Sequence, residues 1–439
     1  MNPVKSAILW IGAYLIVVTA PLFMLLFGQT PPPGGFWWDF AMALGFAALT
    51  MMGVLFILTA RFHHATAPFG IDIIYYFHRF LAIFALMILT MHYLIIRIDN
   101  PAVLGDINPF DAPAHMSAGR AAISLFVLLV VSSLARHRLG IDYDLWRWTH
   151  ALGATVAFAL ALWHVIGTGY YVGTDWKQVL WTGYGLFWIA LIGYVRIAKP
   201  WQMLRKPYRV AEVRSERGDV FTVIVKPDGH TGLRFQPGQF AWLTLGNSPF
   251  TLKEHPFSIA SSAERRDSIE FSIKVVGDFT RTASAVQCGQ QAYLDGPYGA
   301  FSIDRHTAAP GYVFIAGGVG IVPIMSMLRT LADRHDRRPM ILFYGNARWE
   351  RVLYREELEM LSSRLDLHVV HILGERMESW QGEHGLLTQS MLDRHLPADR
   401  AGLHFFICGP TVMTQLVERW LAALGIRPSR IHNELFEWV

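Results

Sequence analysis

Apolar residues come in six long runs over the first 200 positions and in short alternating runs after them. The long runs are about Ser6–Phe27, Phe40–Ala60, Ile73–Ile96, Ala121–Ala135, Thr149–Tyr171 and Gln178–Ile197. Most approach the ~20 residues that carry a helix across a ~30 Å hydrocarbon layer, so the pattern predicts six membrane-spanning helices. Ala121–Ala135 is the shortest of them. The first run is too long for a leader, and no small-residue cleavage site precedes the Thr30–Gly35 turn, so it is expected to remain as a span.

From Tyr208 onward, runs such as Val220–Lys226 and Ile269–Val275 alternate with turn residues, the mark of antiparallel strands. A small β-barrel of about six strands is expected over residues 207–305. Past Pro310, strands at Tyr312–Ala316, Met340–Tyr344, His368–Ile372 and Leu403–Ile407 alternate with helices at Ile324–Asp333, Tyr354–Ser363 and Leu387–Leu396. That alternation implies a parallel sheet over residues 310–439, with ligands at the carboxyl ends of its strands. The expected fold is thus a six-helix transmembrane bundle over 1–200, an antiparallel β-barrel domain and an α/β parallel-sheet domain.

Charge sharpens the division. Residues 1–200 hold 11 of the 38 lysines and arginines and 8 of the 34 acidic residues, and no glutamate before Glu212. Lys5, Arg61, Arg136, Arg138, Arg147, Arg196 and Lys199 flank one face of the expected bundle; Arg97, Arg120 and Lys177 flank the other. The positive-inside rule then puts both termini and everything after residue 200 in the cytoplasm, as in a multi-pass membrane protein. The loop Arg97–Arg120, with Asp99, Asp106 and Asp111, becomes the largest outer element. The two cysteines, Cys288 and Cys408, exclude a disulfide framework, a four-thiolate iron–sulfur cluster and a cysteine-built zinc site. A net charge of +4 without a basic run excludes nucleic acid as a partner.

Four histidines stand inside the apolar runs. His78 and His92 lie on the third, His150 and His164 on the fifth, and each pair is 14 residues apart. That is close to four helical turns, so both members of a pair share a helix face about 21 Å apart. Spans three and five run the same way, which sets His78 opposite His150 and His92 opposite His164. For any one of them a hydrogen-bonded core histidine is the ordinary alternative. Ionisable residues in lipid are rare and usually functional, and facing imidazoles are axial ligands for haem iron, so the spacing predicts two stacked haems b. Arg79 could meet a haem propionate or belong to the basic interface. His63, His64, His115 and His137 fall in loops and are read as solvated.

In the second half, Gly317-Gly318-Val319-Gly320 follows a buried strand and opens a helix, where bare N–H groups and the helix dipole can hold a pyrophosphate. Cys408-Gly409-Pro410 follows a later strand. Together with His255-Pro256-Phe257-Ser258 and the four buried histidines, these motifs resemble the ferric reductase and NADPH oxidase (NOX) superfamily, especially its compact bacterial members. The soluble half is similar to the ferredoxin–NADP reductase superfamily. The resemblance implies FAD, two haems b and NADPH or NADH as electron donor. It implies that His255, Pro256, Phe257 and Ser258 hold the isoalloxazine and ribityl of FAD, and that Lys274, Gly277, Phe279 and Thr280 serve its pyrophosphate. Gly317, Gly318 and Gly320 match the dinucleotide phosphate site, and Cys408, Gly409 and Pro410 the nicotinamide site. Glu434-Leu435-Phe436 resembles a terminal acid–x–aromatic motif whose ring covers the flavin; the chain continues to Trp438, so either ring could stack, and Phe436 is preferred. Arg348 and Arg351 stand where a 2′-phosphate would be read, or are solvated loop residues, with a lean to NADPH. A flavin takes two electrons from a nicotinamide and passes them on singly, which is what a haem accepts. The expected route runs from NAD(P)H through FAD and the two haems to an outer acceptor: O2 giving superoxide, alternatively a ferric complex, or a periplasmic protein. No regulatory subunit is expected.

Overall fold

The computed structural model describes residues 3–60, 71–246, 248–251, 254–375 and 380–434, in two compact units, Met1–Lys199 and Pro200–Val439. The first unit is helical: α1 Pro3–Met24, α2 Phe36–Thr59, α3 Ile71–Asp99, α4 Ala114–Ala135, α5 Tyr143–Thr168 and α6 Asp175–Gly193. A π-helical turn, Tyr194–Ala198, carries α6 into α7, Lys199–Leu204. Among the described residues five helices are long and apolar enough to cross a membrane, from α2 through the α6–α7 segment; the apolar helix Ile8–Met24 is shorter. Their exposed faces are apolar as well: Phe23, Phe80, Leu128, Leu152, Val179 and Phe187 all stand open. Residues of that kind are stable outside only where the surroundings are lipid.

Local chemistry sets the helix ends. The Asp142 carboxylate accepts from Leu145 N–H at 3.0 Å and starts α5, and Gly169 at φ +64° ends it. Helix α4 begins at Ala114, seven residues before the expected Ala121, because Pro113 ends the outer loop and His115-Met116-Ser117 already turn helically. Helix α2 packs chiefly on α3, and α4 on α5. Small residues permit close approach: a Cβ at Gly53 would lie 2.5 Å from Trp188 Nε1, and one at Gly185 would lie 2.2 Å from Leu162 Cδ2. Lys177 lies in the first turn of α6, beside the end of the first helix. It is fully buried, and Nζ donates to Leu25 O at 2.7 Å and Gln29 O at 2.9 Å, so this cation closes the end of the first helix. Arg61, His63 and His64 lie outside the described residues.

The second unit holds two sheets. The first is antiparallel, with β1 Tyr208–Ser215, β2 Val220–Pro227, β3 Phe240–Leu245, β4 Glu254–Ser258, β5 Ile269–Lys274 and β6 Gln291–Tyr298 in the order β4-β3-β6-β1-β2-β5. Its edges meet just past β4, where Ile259 bridges Phe271 and Ala260 N–H donates to Glu270 O at 2.8 Å. Helix α8, Asp278–Ser284, lies between β5 and β6.

The second sheet is parallel, in the order β10-β9-β8-β7-β11-β12. Its strands are β7 Tyr312–Gly317, β8 Met340–Asn346, β9 Leu367–Leu373, β10 Glu383–His384, β11 His404–Cys408 and β12 Ile431–Glu434. Helices α9 Ile321–Asp333, α10 Arg355–Arg364, α11 Gln389–His395 and α12 Thr411–Ala423 alternate with them. Val313, Phe314 and Ile315 are all fully buried, which fits a strand covered on both faces. Helix α9 starts three residues earlier than expected, because Gly318–Gly320 forms a 3-10 turn that runs straight into it.

A buried polar seam joins the two sheets. Arg329 on α9 holds Glu357 through two bonds of 2.6 and 2.7 Å, Glu270 at 2.9 Å and Ala260 O at 2.9 Å. Ser326 Oγ donates to Ser261 O at 2.7 Å, and Tyr354 OH to Ser272 Oγ.

Candidate functional site

In the helical unit, the 14-residue spacing does what helical geometry demands. The His78 and His150 rings face each other across α3 and α5 with centroids 6.4 Å apart and a tilt of 59°. Two imidazoles that each place one nitrogen about 2 Å from a shared ion have centroids about 6 Å apart, so the pair fits an axial ligand set. His92 and His164, about four helical turns further along, lie within electrostatic range of each other.

Hydrogen bonds orient these rings. His92 Nδ1 lies 2.7 Å from Ala41 O, and His164 Nδ1 lies 3.0 Å from His115 O. A carbonyl only accepts, so Nδ1 carries the proton in both and Nε2 keeps its lone pair. Ser133 Oγ donates to Leu129 O at 2.6 Å and is left to accept from His150 Nδ1 at 3.2 Å, which fixes the same tautomer. His78 Nδ1 is buried toward Leu55 O without closing an ordinary bond. Anchoring one ring nitrogen on a carbonyl or hydroxyl is the usual support of a histidine that ligates a metal through the other.

Two glycines admit the rings. A Cβ at Gly45 on α2 would lie 2.9 Å from His92 Cε1, and one at Gly119 on α4 would lie 2.7 Å from His164 Nδ1. Sequence reasoning missed both, along with Ser133 and the carbonyls of Ala41 and His115. His115, read as solvated, is half-buried and orients His164 through its main chain.

In the second unit the expected flavin motifs come together. His255 on β4 stacks on Phe279 of α8 at 3.8 Å between centroids, and Phe257 follows Phe279 at 6.1 Å. Ser258 is buried at the end of β4, paired in register with Phe240, and Pro256 pairs with Trp242. Thr280 sits at the start of α8 as expected, but its hydroxyl is engaged in the turn: it accepts from Val276 and Gly277 N–H, both at 2.9 Å. Lys274 ends β5 with its side chain exposed.

The glycine stretch and the Cys-Gly-Pro turn touch through their backbones. A Cβ at Gly320 would drive into the Cys408 carbonyl, and one at Gly317 would lie 2.8 Å from Pro410 Cδ. A Cβ at Gly409 would lie 3.0 Å from Gly317 N. Gly318 takes φ +54° with open space around it. These strand ends lie at the carboxyl edge of the parallel sheet, where such folds bind nucleotides. Cys408 pairs in register with Glu434, and burial together with that carboxylate pushes its thiol well up. Phe436 and Trp438 lie outside the described residues.

Arg348, beyond β8, has its Nε 2.7 Å from Glu375 Oε1, so an acid stands beside the expected phosphate-reading cation. Next to it lies an aromatic wall that sequence reasoning did not single out: Trp349 is 5.1 Å from both Trp380 and His371. Burial holds His371 down at about 4, so it is a neutral ring at physiological pH.

Known proteins match these parts in the same order. A ferric reductase like transmembrane component matches residues 44–162, an FAD-binding domain 205–302 and an oxidoreductase NAD-binding domain 314–419. The glycine betaine monooxygenase reductase subunit of Pseudomonas aeruginosa is 32% identical over 243 residues, covering 54% of this chain and 65% of that protein. The propane 2-monooxygenase reductase component of Mycolicibacterium smegmatis is 29% identical over 237 residues, 52% of this chain and 66% of that one. The chain thus spans about two thirds of the length of these curated relatives. Among solved structures, the flavohem-like FAD/NAD-binding domain of nitric oxide dioxygenase from Vibrio cholerae superposes with a TM-score of 0.46 at 23% identity, over 53% of this chain and 98% of that one. The chain is a flavin- and nicotinamide-binding oxidoreductase with a ferric reductase like transmembrane component, a domain combination consistent with the ferric reductase and NOX-like proteins.

Proposed function

We propose that the chain moves electrons from NAD(P)H across a membrane, using FAD and two haems b held by His78 with His150 and by His92 with His164. When bound, the flavin exchanges a hydride for single electrons and the haems relay those electrons one at a time. The observation that carries this reading is the shared tautomer: His92, His150 and His164 each have Nδ1 anchored, which leaves Nε2 bare toward the opposite helix. Gly45 and Gly119 supply the room those rings need.

In the second unit His255, Pro256, Phe257 and Ser258, with Phe279, form one wall for the flavin ring. The N–H groups at the start of α8, beyond Gly277, serve its pyrophosphate, and Thr280 shapes that turn rather than touching the phosphate. The Gly317–Gly320 turn takes the nicotinamide dinucleotide phosphates, and Cys408, Gly409 and Pro410 hold the nicotinamide ring. Cys408 acts as a neutral thiol, and Phe436 covers the flavin from the carboxyl end of the chain.

Both termini and the nucleotide-binding unit lie on the cytoplasmic side of a bacterial inner membrane, and α1 completes a sixth span. The acceptor on the far side is O2, reduced to superoxide. The outer loop supports a small neutral acceptor, since Arg120, Asp106 and Asp111 are used in folding it. Arg120 donates to the carbonyls of Leu104, Asp106 and Ile107, and Asp106 and Asp111 both bind Asn108. Delivery to a partner protein is the second reading, favoured by relatives that are reductase components of oxygenases. Anaerobic stopped flow on the purified protein separates them: haem is reduced by nicotinamide, then mixed with O2 or with ferric chelates. Fast reoxidation by O2 alone is expected; equal, slow reoxidation by both would favour the protein partner.

A further inference from the structure

Away from the flavin and nicotinamide residues, three histidines from separate elements meet. His306 follows the 3-10 turn Ile303–Arg305, His404 opens β11 and His432 is the second residue of β12. His404 Nδ1 lies 3.0 Å from His432 Nε2, and the His306 ring stands 4.7 Å from His404 and 4.0 Å from His432 between centroids. One ring nitrogen from each lies within 4.8 Å of the other two. Burial holds His306 at about 4 and His432 at about 3, so both rings are neutral and able to donate a lone pair. A tetrahedral ion about 2.0–2.1 Å from each nitrogen needs them about 3.4 Å apart, within reach of small ring rotations.

We infer that His306, His404 and His432 form a binding site for a divalent ion of the zinc or copper class, with its fourth position open to water. All-imidazole donor sets select such ions over magnesium or calcium, which prefer oxygen. Two cations lie close, Arg305 beside His306 and Arg430 beside His404, and they oppose a second positive charge. Occupancy is therefore reversible, a regulatory hold rather than a folding requirement. Its consequence follows from strand geometry. His432 and Glu434 share one face of β12, two residues or about 7 Å apart, as do His404 and Cys408 across four residues of β11. An ion on the three rings ties β12 to β11 and to the segment leaving the first sheet, and so fixes Glu434 beside Cys408. That last step rests on the proposed nicotinamide site; the binding itself does not.

The test is equilibrium dialysis of Zn2+ against the full-length, tag-free protein after chelator treatment, with Cu2+ electron paramagnetic resonance as a second readout. One equivalent is expected to bind with nitrogen hyperfine structure from imidazole. His306→Ala and His432→Ala should each weaken it about tenfold or more, on the scale of lost metal-site contacts. His368→Ala, at an exposed histidine elsewhere on the parallel sheet, should leave it unchanged. Flavin absorbance confirms that the variants fold, and His306→Gln keeps the comparison available if His306→Ala does not. Binding that survives both alanine variants, or no binding by the wild-type chain, would overturn the assignment.

Discussion

His92 donates from Nδ1 to the carbonyl oxygen of Ala41 at 2.7 Å, joining α3 to α2 at the depth where His164 approaches from α5. That bond settles which nitrogen carries the proton, and with it which nitrogen faces the space between the helices. The same device recurs at His164 and His150, with a different acceptor each time.

The glycines beside these rings give a first prediction. Gly45→Ala and Gly119→Ala each put a methyl within 2.9 Å of a histidine ring, His92 or His164, and the ring must move to admit it. Each variant is expected to lose about half of the bound haem, measured as pyridine haemochrome per flavin. Retention of the full complement would mean that the rings do not sit where the proposed ligation needs them.

Nicotinamide preference is expected to depend on Glu375. Its carboxylate holds Arg348, and a carboxylate near the adenosine ribose disfavours a 2′-phosphate. Glu375→Gln is expected to raise kcat/KM for NADPH relative to NADH several-fold, read as ferricyanide reduction, and Arg348→Ala to lower it. An unchanged ratio in both variants would remove this pair from cofactor selection.

Arg329 carries the seam between the two sheets. Arg329→Ala leaves Glu270 and Glu357 without their cation, and breaking a mostly buried pair from one side costs about 3 kcal/mol. The temperature at which flavin is released should fall by several degrees. Arg329→Lys, with fewer donors, should fall part of the way.

The two cysteines should react differently. Cys288 is exposed, whereas Cys408 is fully buried with its thiol pushed up by burial and by Glu434. A raised pKa keeps the unreactive thiol form through neutral and mildly alkaline pH. Mass spectrometry after alkylation between pH 7 and 8.5 is expected to find one label, on Cys288. Labelling of Cys408 at the lower pH would show that its environment opens readily.

Much of the architecture was legible in the sequence because it rests on local periodicity. Apolar run lengths marked the helices, alternation marked antiparallel strands such as Val220–Pro227 and Ile269–Lys274 but not β4, whose His255–Ser258 was expected between strands, and buried runs such as Tyr312–Ala316 marked the parallel ones. The 14-residue spacings located the histidine pairs, since a helix converts spacing directly into direction. Cross-helix contacts were not legible. Nothing local ties Gly45 to His92, 47 positions later, or Lys177 to the carbonyl of Leu25. The early start of α4 was hidden by polar residues such as His115 and Arg120, which interrupt the apolar run but not the helix. Arg348 was placed correctly beyond its strand, while its partner Glu375 comes from the next strand end and could be found only in three dimensions.

Haem stoichiometry in the histidine variants probes the ligand assignment most directly. The purified wild-type chain should carry two haems per flavin with a bis-imidazole spectrum, and His92→Ala or His164→Ala should carry one, with flavin reduction by nicotinamide intact. A variant that keeps both haems and an unaltered spectrum would contradict the assignment of these imidazoles as ligands.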